Sequence, residues 1–128
     1  MKSKGYYINI VNIENLWHFQ LWYNGKQEMG NSIGYENIEE CKKALKSFQK
    51  FLLNTQSILE NENLLKIKKI QDKKFIYVFY DTTGNILYSS RNIETRYNCK
   101  KSAISTYKNL PNIVEIERIN IKNKINDM

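Results

Sequence analysis

Residues 75–110, FIYVFYDTTGNILYSSRNIETRYNCKKSAISTYKNL, decide the fold. Phe75, Tyr77 and Phe79 alternate with Ile76, Val78 and Tyr80, the two-residue period of a strand with one aromatic face. Asp81-Thr-Thr-Gly84-Asn supplies turn chemistry, and Ile86 to Ser90 resumes an extended pattern. Thr95 is placed to cap a helix that carries Cys99 and ends near Leu110, because Pro111 disfavours helical backbone in the residue before it. The segment reads as strand, glycine turn, strand, capped helix.

The same plan occurs 58 residues earlier, from Trp17 to Leu52. Trp17, Phe19 and Leu21 match Phe75, Tyr77 and Phe79; Asn37 matches Thr95; Cys41-Lys-Lys matches Cys99-Lys-Lys. Asn24-Gly25 is a hairpin signal, since both central positions of a type I′ turn need positive φ. Asn37-Ile-Glu-Glu40 has the form of a capping box. Cys41, Leu45, Phe48 and Leu52 recur at helical spacing, and a continuation through Ile58-Leu59 predicts a helix of about five turns. One further strand precedes each copy: Tyr6–Ile13, closed by Glu14-Asn15, and Leu64–Ile70, closed by the polar turn Gln71 to Lys74. Ile113–Ile121 alternates apolar with charged residues as a half-exposed strand does.

The predicted fold is therefore α+β: two tandem βββα repeats, residues 6–60 and 64–110, with an extra C-terminal strand at 113–122. One such unit is too small to bury its own sheet, so the repeats are expected to pack as a pseudo-dimer within one compact domain, an antiparallel sheet against two helices.

An aromatic-alternating strand, an Asn-Gly or Asp-x-x-Gly turn, a strand ending in small residues (Ser89-Ser90) and a capped helix together resemble the YegP-like family of βββα repeat domains. The resemblance covers most of residues 6–110 and is tighter in the second copy; in the first, Gly30-Asn-Ser-Ile-Gly34 replaces the compact strand end. It implies the fold. It implies no reaction, because the family has no established activity or catalytic residues.

Composition narrows the functional classes. Residues 1–64 hold seven Lys and seven Glu, whereas 65–128 hold ten Lys and three Arg against six acids, so the net charge of +7 lies in the second half. A basic half favours encounters with nucleic acid, anionic membrane or an acidic protein; alternatively, the lysines are simply solvated. Lys, not Arg, carries the excess, which weakens a base-reading role. No segment has the roughly 20 apolar residues of a membrane span or the form of a signal peptide. Two cysteines are too few for a secreted disulfide framework, so a cytoplasmic protein is expected.

Catalytic constellations are not found in the pattern. His18, Cys41 and Cys99 lack metal-ligand spacing, and cysteines on apolar helical stripes read as packing residues. A Cys–His nucleophile would require His18 to fold beside a thiol. Glu39-Glu40 suits a helix N-terminus, and Glu115 and Glu117 suit the polar side of a strand. No glycine-rich phosphate loop occurs. The chain is expected not to be an enzyme, to hold no metal and to need no cofactor.

What remains is a binding surface. If Phe75, Tyr77 and Phe79 face the helices, Ile76, Val78 and Tyr80 face away and are too apolar for a solvated face. Two readings stand: the other repeat covers them, or a partner or second copy does. Tyr88, Arg91, Arg96, Tyr97, Lys100 and Lys101 add an aromatic and basic set. The expected function is that of a small non-catalytic binding protein, a regulator or inhibitor of another macromolecule. A phage or mobile-element protein that blocks a host defence nuclease complex, in the manner of an anti-CRISPR protein, is one example. The alternative is a nucleic-acid binder using the basic half, by stacking and phosphate neutralisation. A macromolecular partner and a possible homodimer are expected, with no membrane and no small-molecule cofactor.

Overall fold

The computed structural model describes residues 5–25, 27–113 and 116–121, the last as backbone only. Strands β1 (Tyr6–Ile13), β2 (Leu16–Tyr23) and β3 (Gln27–Asn31) precede helix α1 (Ile38–Asn54). Strands β4 (Leu65–Gln71), β5 (Lys74–Tyr80) and β6 (Ile86–Ser90) precede helix α2 (Arg96–Asn109), and β7 (Ile116–Ile121) follows. The architecture is α+β. Part of the expected C-terminal strand, at 114–115 and 122, lies outside the described residues.

All seven strands join one sheet in the order β4-β5-β6-β3-β2-β1-β7. Neighbours are antiparallel from β4 to β1, and β7 alone lies parallel to its neighbour β1. The two halves meet edge to edge through β3 and β6, where Gly30 pairs with Ser90 and Asn31 with Ser89.

Local chemistry explains the strand turns. Glu14 and Asn15 both take positive φ in the two-residue β1–β2 turn, as do Asn24 and Gly25 after β2. The β2–β3 connection is nevertheless longer than a two-residue hairpin, because Tyr23 pairs with Gln27. Side chains cap both helices. The Asn37 carboxamide oxygen accepts from the Glu40 N–H at 2.9 Å, and the Thr95 hydroxyl accepts from the Asn98 N–H at 3.1 Å. The long first helix is corrected: α1 stops at Asn54, Thr55 is extended, and Ile58–Glu60 forms a separate 3₁₀ turn. Ile58 is buried by folding back on the core, which a straight helix would not allow.

Several contacts recur 58 residues apart. The Phe19 N–H donates to Ser32 Oγ at 3.0 Å while Ser32 Oγ donates to the Ile33 carbonyl at 2.8 Å. The Tyr77 N–H, Ser90 Oγ and Arg91 carbonyl repeat this at 3.0 and 2.8 Å. Trp17–Tyr35 and Phe75–Ile93 are equivalent β-bridges.

Both helices lie on one face. Cys41, Leu45, Phe48 and Leu52 from α1 and Cys99 and Ala103 from α2 are buried against Ile8, Ile10, Phe19, Leu21, Tyr77, Phe79 and Tyr88. The halves fill this core unequally. Large Phe48 on α1 corresponds to Thr106 on α2, whereas Gly30 on β3 corresponds to Tyr88 on β6. Phe48 and Tyr88 then stack across the junction with ring centroids 5.8 Å apart. Bulk is thus supplied from the helix in one half and from the sheet in the other, which keeps the centre filled.

Candidate binding surface

The helix-free side of β5 carries Ile76, Val78 and Tyr80, in register with Lys68 and Lys66 of β4. The described residues of the first half extend the sheet sideways through β3 and do not cover this side. That corrects the reading in which one repeat shields the other. Ile76 and Tyr80 are half-buried, and Val78 is only 2% exposed between its cross-strand neighbours Lys66 and Ser89. The Lys66 and Lys68 ammoniums stand 5.4 and 5.5 Å from the centroid of the Tyr80 ring, each attracted by its electron-rich face. The patch is therefore a tyrosine between two cations, with apolar flanks.

The remaining predicted residues lie elsewhere. Tyr88 is fully buried against Phe48, Tyr77 and Phe79, so it packs the core and cannot contact a partner directly. This corrects its placement on the binding surface: the bulge between Phe79 and Tyr80 leaves Tyr88 opposite inward-facing Phe79. Arg96, Tyr97, Lys100 and Lys101 project from the first turns of α2, in the helix layer. The Arg96 guanidinium lies 5.4 Å from the Phe75 ring, and Lys101 Nζ lies 5.3 Å from Tyr97, which is 71% exposed. Arg91 is exposed just past β6, its guanidinium donating to the Asn92 carbonyl at 3.0 Å. The basic set is divided between two sides of the sheet.

One cleft that the sequence did not reveal lies where these sides meet. It occupies about 600 Å³ beside β4, between Leu59–Glu62, the β4 segment 65–68, and Arg96 and Lys100 of α2. Lys100 Nζ donates to the Leu59 carbonyl at 3.3 Å across it. Periodicity reveals which face a residue occupies but not which strand ends the sheet, so the cleft had no signal beyond the Lys-apolar alternation of β4.

The candidate thiols are not exposed on this surface. Cys41 and Cys99 are fully buried in the helix layer, and desolvation pushes each thiol up to about 11. His18 lies on the helix-free side of β2, its Nδ1 2.9 Å from the Ser32 carbonyl. The sheet thus separates the imidazole from both thiols. Beneath α2, the Tyr77 hydroxyl is 2.6 Å from Thr106 Oγ1 and accepts from Ser102 Oγ at 3.3 Å. Burial raises the pKa of both Tyr77 and Tyr88, so neither phenol ionises at neutral pH.

No family model matches the chain. No curated protein matches it. Solved structures do. The solution structure of YegP from E. coli, a protein of unknown function, superposes with a TM-score of 0.71 over 97% of this chain and 98% of that one, at 13% identity. The chain has the YegP fold. A UPF0339 protein from Shewanella oneidensis superposes with a TM-score of 0.69 over 91% of each chain, at 11% identity. At these identities the likeness to YegP is one of fold, and it carries no function across. Among the described residues no helix is long and apolar enough to cross a membrane.

Proposed function

We propose that this chain is a non-catalytic binding protein that acts by occupying the surface of a protein partner. The observation that carries this reading is the helix-free side of β5, where Ile76 and Tyr80 remain partly exposed under Lys66 and Lys68. Apolar and aromatic side chains ringed by charge are the composition of a protein contact. The lysines favour a partner that is acidic at the contact. Burial of Cys41 and Cys99, with His18 across the sheet, favours binding over catalysis. A regulator or inhibitor that blocks another macromolecule in the cytoplasm would work this way, including a mobile-element protein acting on a host nuclease complex.

The test is affinity capture with the wild-type chain and with Tyr80→Asp or Ile76→Asp, after circular dichroism has shown that each variant is folded. A stoichiometric partner lost by both folded variants supports the reading. A partner retained by both overturns this surface.

A second reading rests on Tyr97 and Lys101, an exposed aromatic beside a cation on α2 with Arg96 adjacent in sequence. Such a pair suits a stacked base beside a phosphate in single-stranded nucleic acid. It requires oligonucleotide affinity that falls steeply with salt and is lost on charge reversal at Arg96, Lys100 and Lys101. No binding at low salt would remove it.

A further inference from the structure

Strand β4 ends the sheet, and its backbone register shows which groups it leaves unpaired. The Tyr80 N–H donates to the Leu64 carbonyl at 2.8 Å, which makes Leu64 and Tyr80 a hydrogen-bonded pair. Antiparallel ladders alternate, so Lys66–Val78 and Lys68–Ile76 are also hydrogen-bonded pairs, while Leu65, Ile67 and Lys69 turn their backbone groups outward. Phe75 confirms the phase. Opposite Lys69, it exchanges its two backbone bonds with Ile93 on its other side, each at 2.8 Å. The Leu65 N–H is taken by the Asn61 carbonyl at 3.0 Å. Among the described residues, what remains unpaired on the open edge is the Leu65 carbonyl and both polar backbone groups of Ile67 and Lys69.

This edge opens into the cleft described above. On its helix side the floor is Leu65 and Ile67, with Leu59 beside them and Arg96 and Lys100 above. On its other side stand Lys66 and Lys68. An edge strand beside a helix-walled groove is the geometry in which extended peptides add as a further strand.

We propose that β4 takes an extended acidic segment of a partner protein as an eighth strand. This deepens the protein-binding reading and rests on it. The two faces of β4 define the segment. Residues lying beside Leu65 and Ile67 should be apolar, and residues lying beside Lys66 and Lys68 should be acidic, so the segment alternates. A second copy of β4 fits poorly, because it would place lysines against lysines. Glu60 and Glu62 also line the cleft, so acidic side chains belong toward Lys68, at the other end of the β4 segment.

The probe is a dye-labelled Glu-Val-Glu-Val-Glu-Val peptide, titrated against the full chain by fluorescence anisotropy, with hydrogen exchange read at Ile67 and Lys69. Binding is expected with slowed exchange at both amides. A Lys-Val repeat and an acidic peptide N-methylated at alternate residues should not bind. Lys68→Glu should weaken binding roughly tenfold, and Ile67→Pro, which removes an outward-facing N–H, should abolish it. If Ile67→Pro fails to fold, Lys68→Glu and the N-methylated peptide still decide. Failure of the acidic peptide to bind overturns the proposal, as does binding that leaves the two amides unprotected. If the partner captured through Tyr80 is retained by folded Ile67→Pro, the edge proposal fails while the broader reading survives.

Discussion

Gly30 and Tyr88 are complementary across the β3–β6 junction: a Cβ on Gly30 would lie 2.5 Å from the Tyr88 hydroxyl oxygen and 2.5 Å from the Ser89 carbonyl oxygen. The absence of a side chain on β3 lets a full tyrosine stand on β6. Gly30→Ala should therefore destabilise the chain by about 1–3 kcal/mol, the usual range for overpacking a filled core. Because the Ser89 carbonyl is backbone and the Tyr88 ring carbon Cζ, 2.7 Å from the same Cβ, is kept in phenylalanine, shortening Tyr88 to Phe should not rescue it. Urea denaturation of the two single variants and the double variant checks this; full rescue in the double variant would show that the hydroxyl alone sets the space.

The Tyr88 hydroxyl itself is buried, and although the Tyr77 and Thr106 hydroxyls approach it, neither meets hydrogen-bond geometry with it. An unsatisfied buried polar atom contributes nothing to offset its desolvation, so Tyr88→Phe alone should be neutral or stabilising. Tyr77→Phe should behave differently, because the Tyr77 hydroxyl is held by Thr106 and Ser102. A loss of about 1 kcal/mol is expected there, a typical net value for a neutral hydrogen bond. Chemical denaturation of the pair distinguishes the two tyrosines.

Much of this architecture was legible in the residues because it depends on local chemistry. Alternation in Phe75–Tyr80, the caps at Asn37 and Thr95, and a turn at Glu14-Asn15 are short-range signals, and each appears in the structure as read; the positive φ of Glu14 and Asn15 is seen only in the structure. What was not legible depends on strand order. That β3 meets β6, which leaves β4 at an edge, is set by long-range pairing that no periodicity encodes. The misplacement of Tyr88 has the same origin: one bulge beside Phe79 shifts the phase of β6, and a shift of one residue exchanges the two faces. Lys66 and Lys68 were visible as charge, but their grouping around Tyr80 required the register of β4 on β5.

Burial of both thiols gives a direct chemical prediction. With each thiol pushed up to about 11, little thiolate exists near pH 8, and the fold denies reagents access. Ellman's reagent should label neither cysteine in the native chain and both in urea. Rapid labelling of the native chain would show that the helices open, and would restore a reactive thiol to consideration.

Asp81 gives a pH dependence whose sign follows from its contacts. Its carboxylate accepts from the Asn85 and Thr83 backbone N–H groups, both at 2.9 Å, and these bonds hold its pKa below the ordinary 3.8. A lowered folded value means that the stabilisation is fully present above the unfolded value and is lost as pH falls through the folded one. Asp81→Ala should therefore be less stable than wild type near neutrality, and the gap should close on acidification below the ordinary carboxylate pKa. Urea midpoints measured across that range check the convergence; a constant gap would mean that the loop is held by something other than this charge.

The recurring serine tests whether the two halves use one device independently. Ser32 Oγ and Ser90 Oγ each accept a strand N–H, from Phe19 and Tyr77, and each donates to the carbonyl that follows. Both serines are buried, so an alanine leaves a strand N–H without a partner, at a cost of about 1–3 kcal/mol for each. The two sites share no partner, and their losses should add to within about 0.5 kcal/mol. Urea denaturation of Ser32→Ala, Ser90→Ala and the double variant measures this. A double variant much less stable than the sum would mean that the halves unfold each other through the β3–β6 seam, where Asn31 pairs with Ser89 immediately beside both serines. A loss confined to one site would mean that water replaces the hydroxyl in the other half, and the shared hydrogen bonds would then not reflect shared energetics.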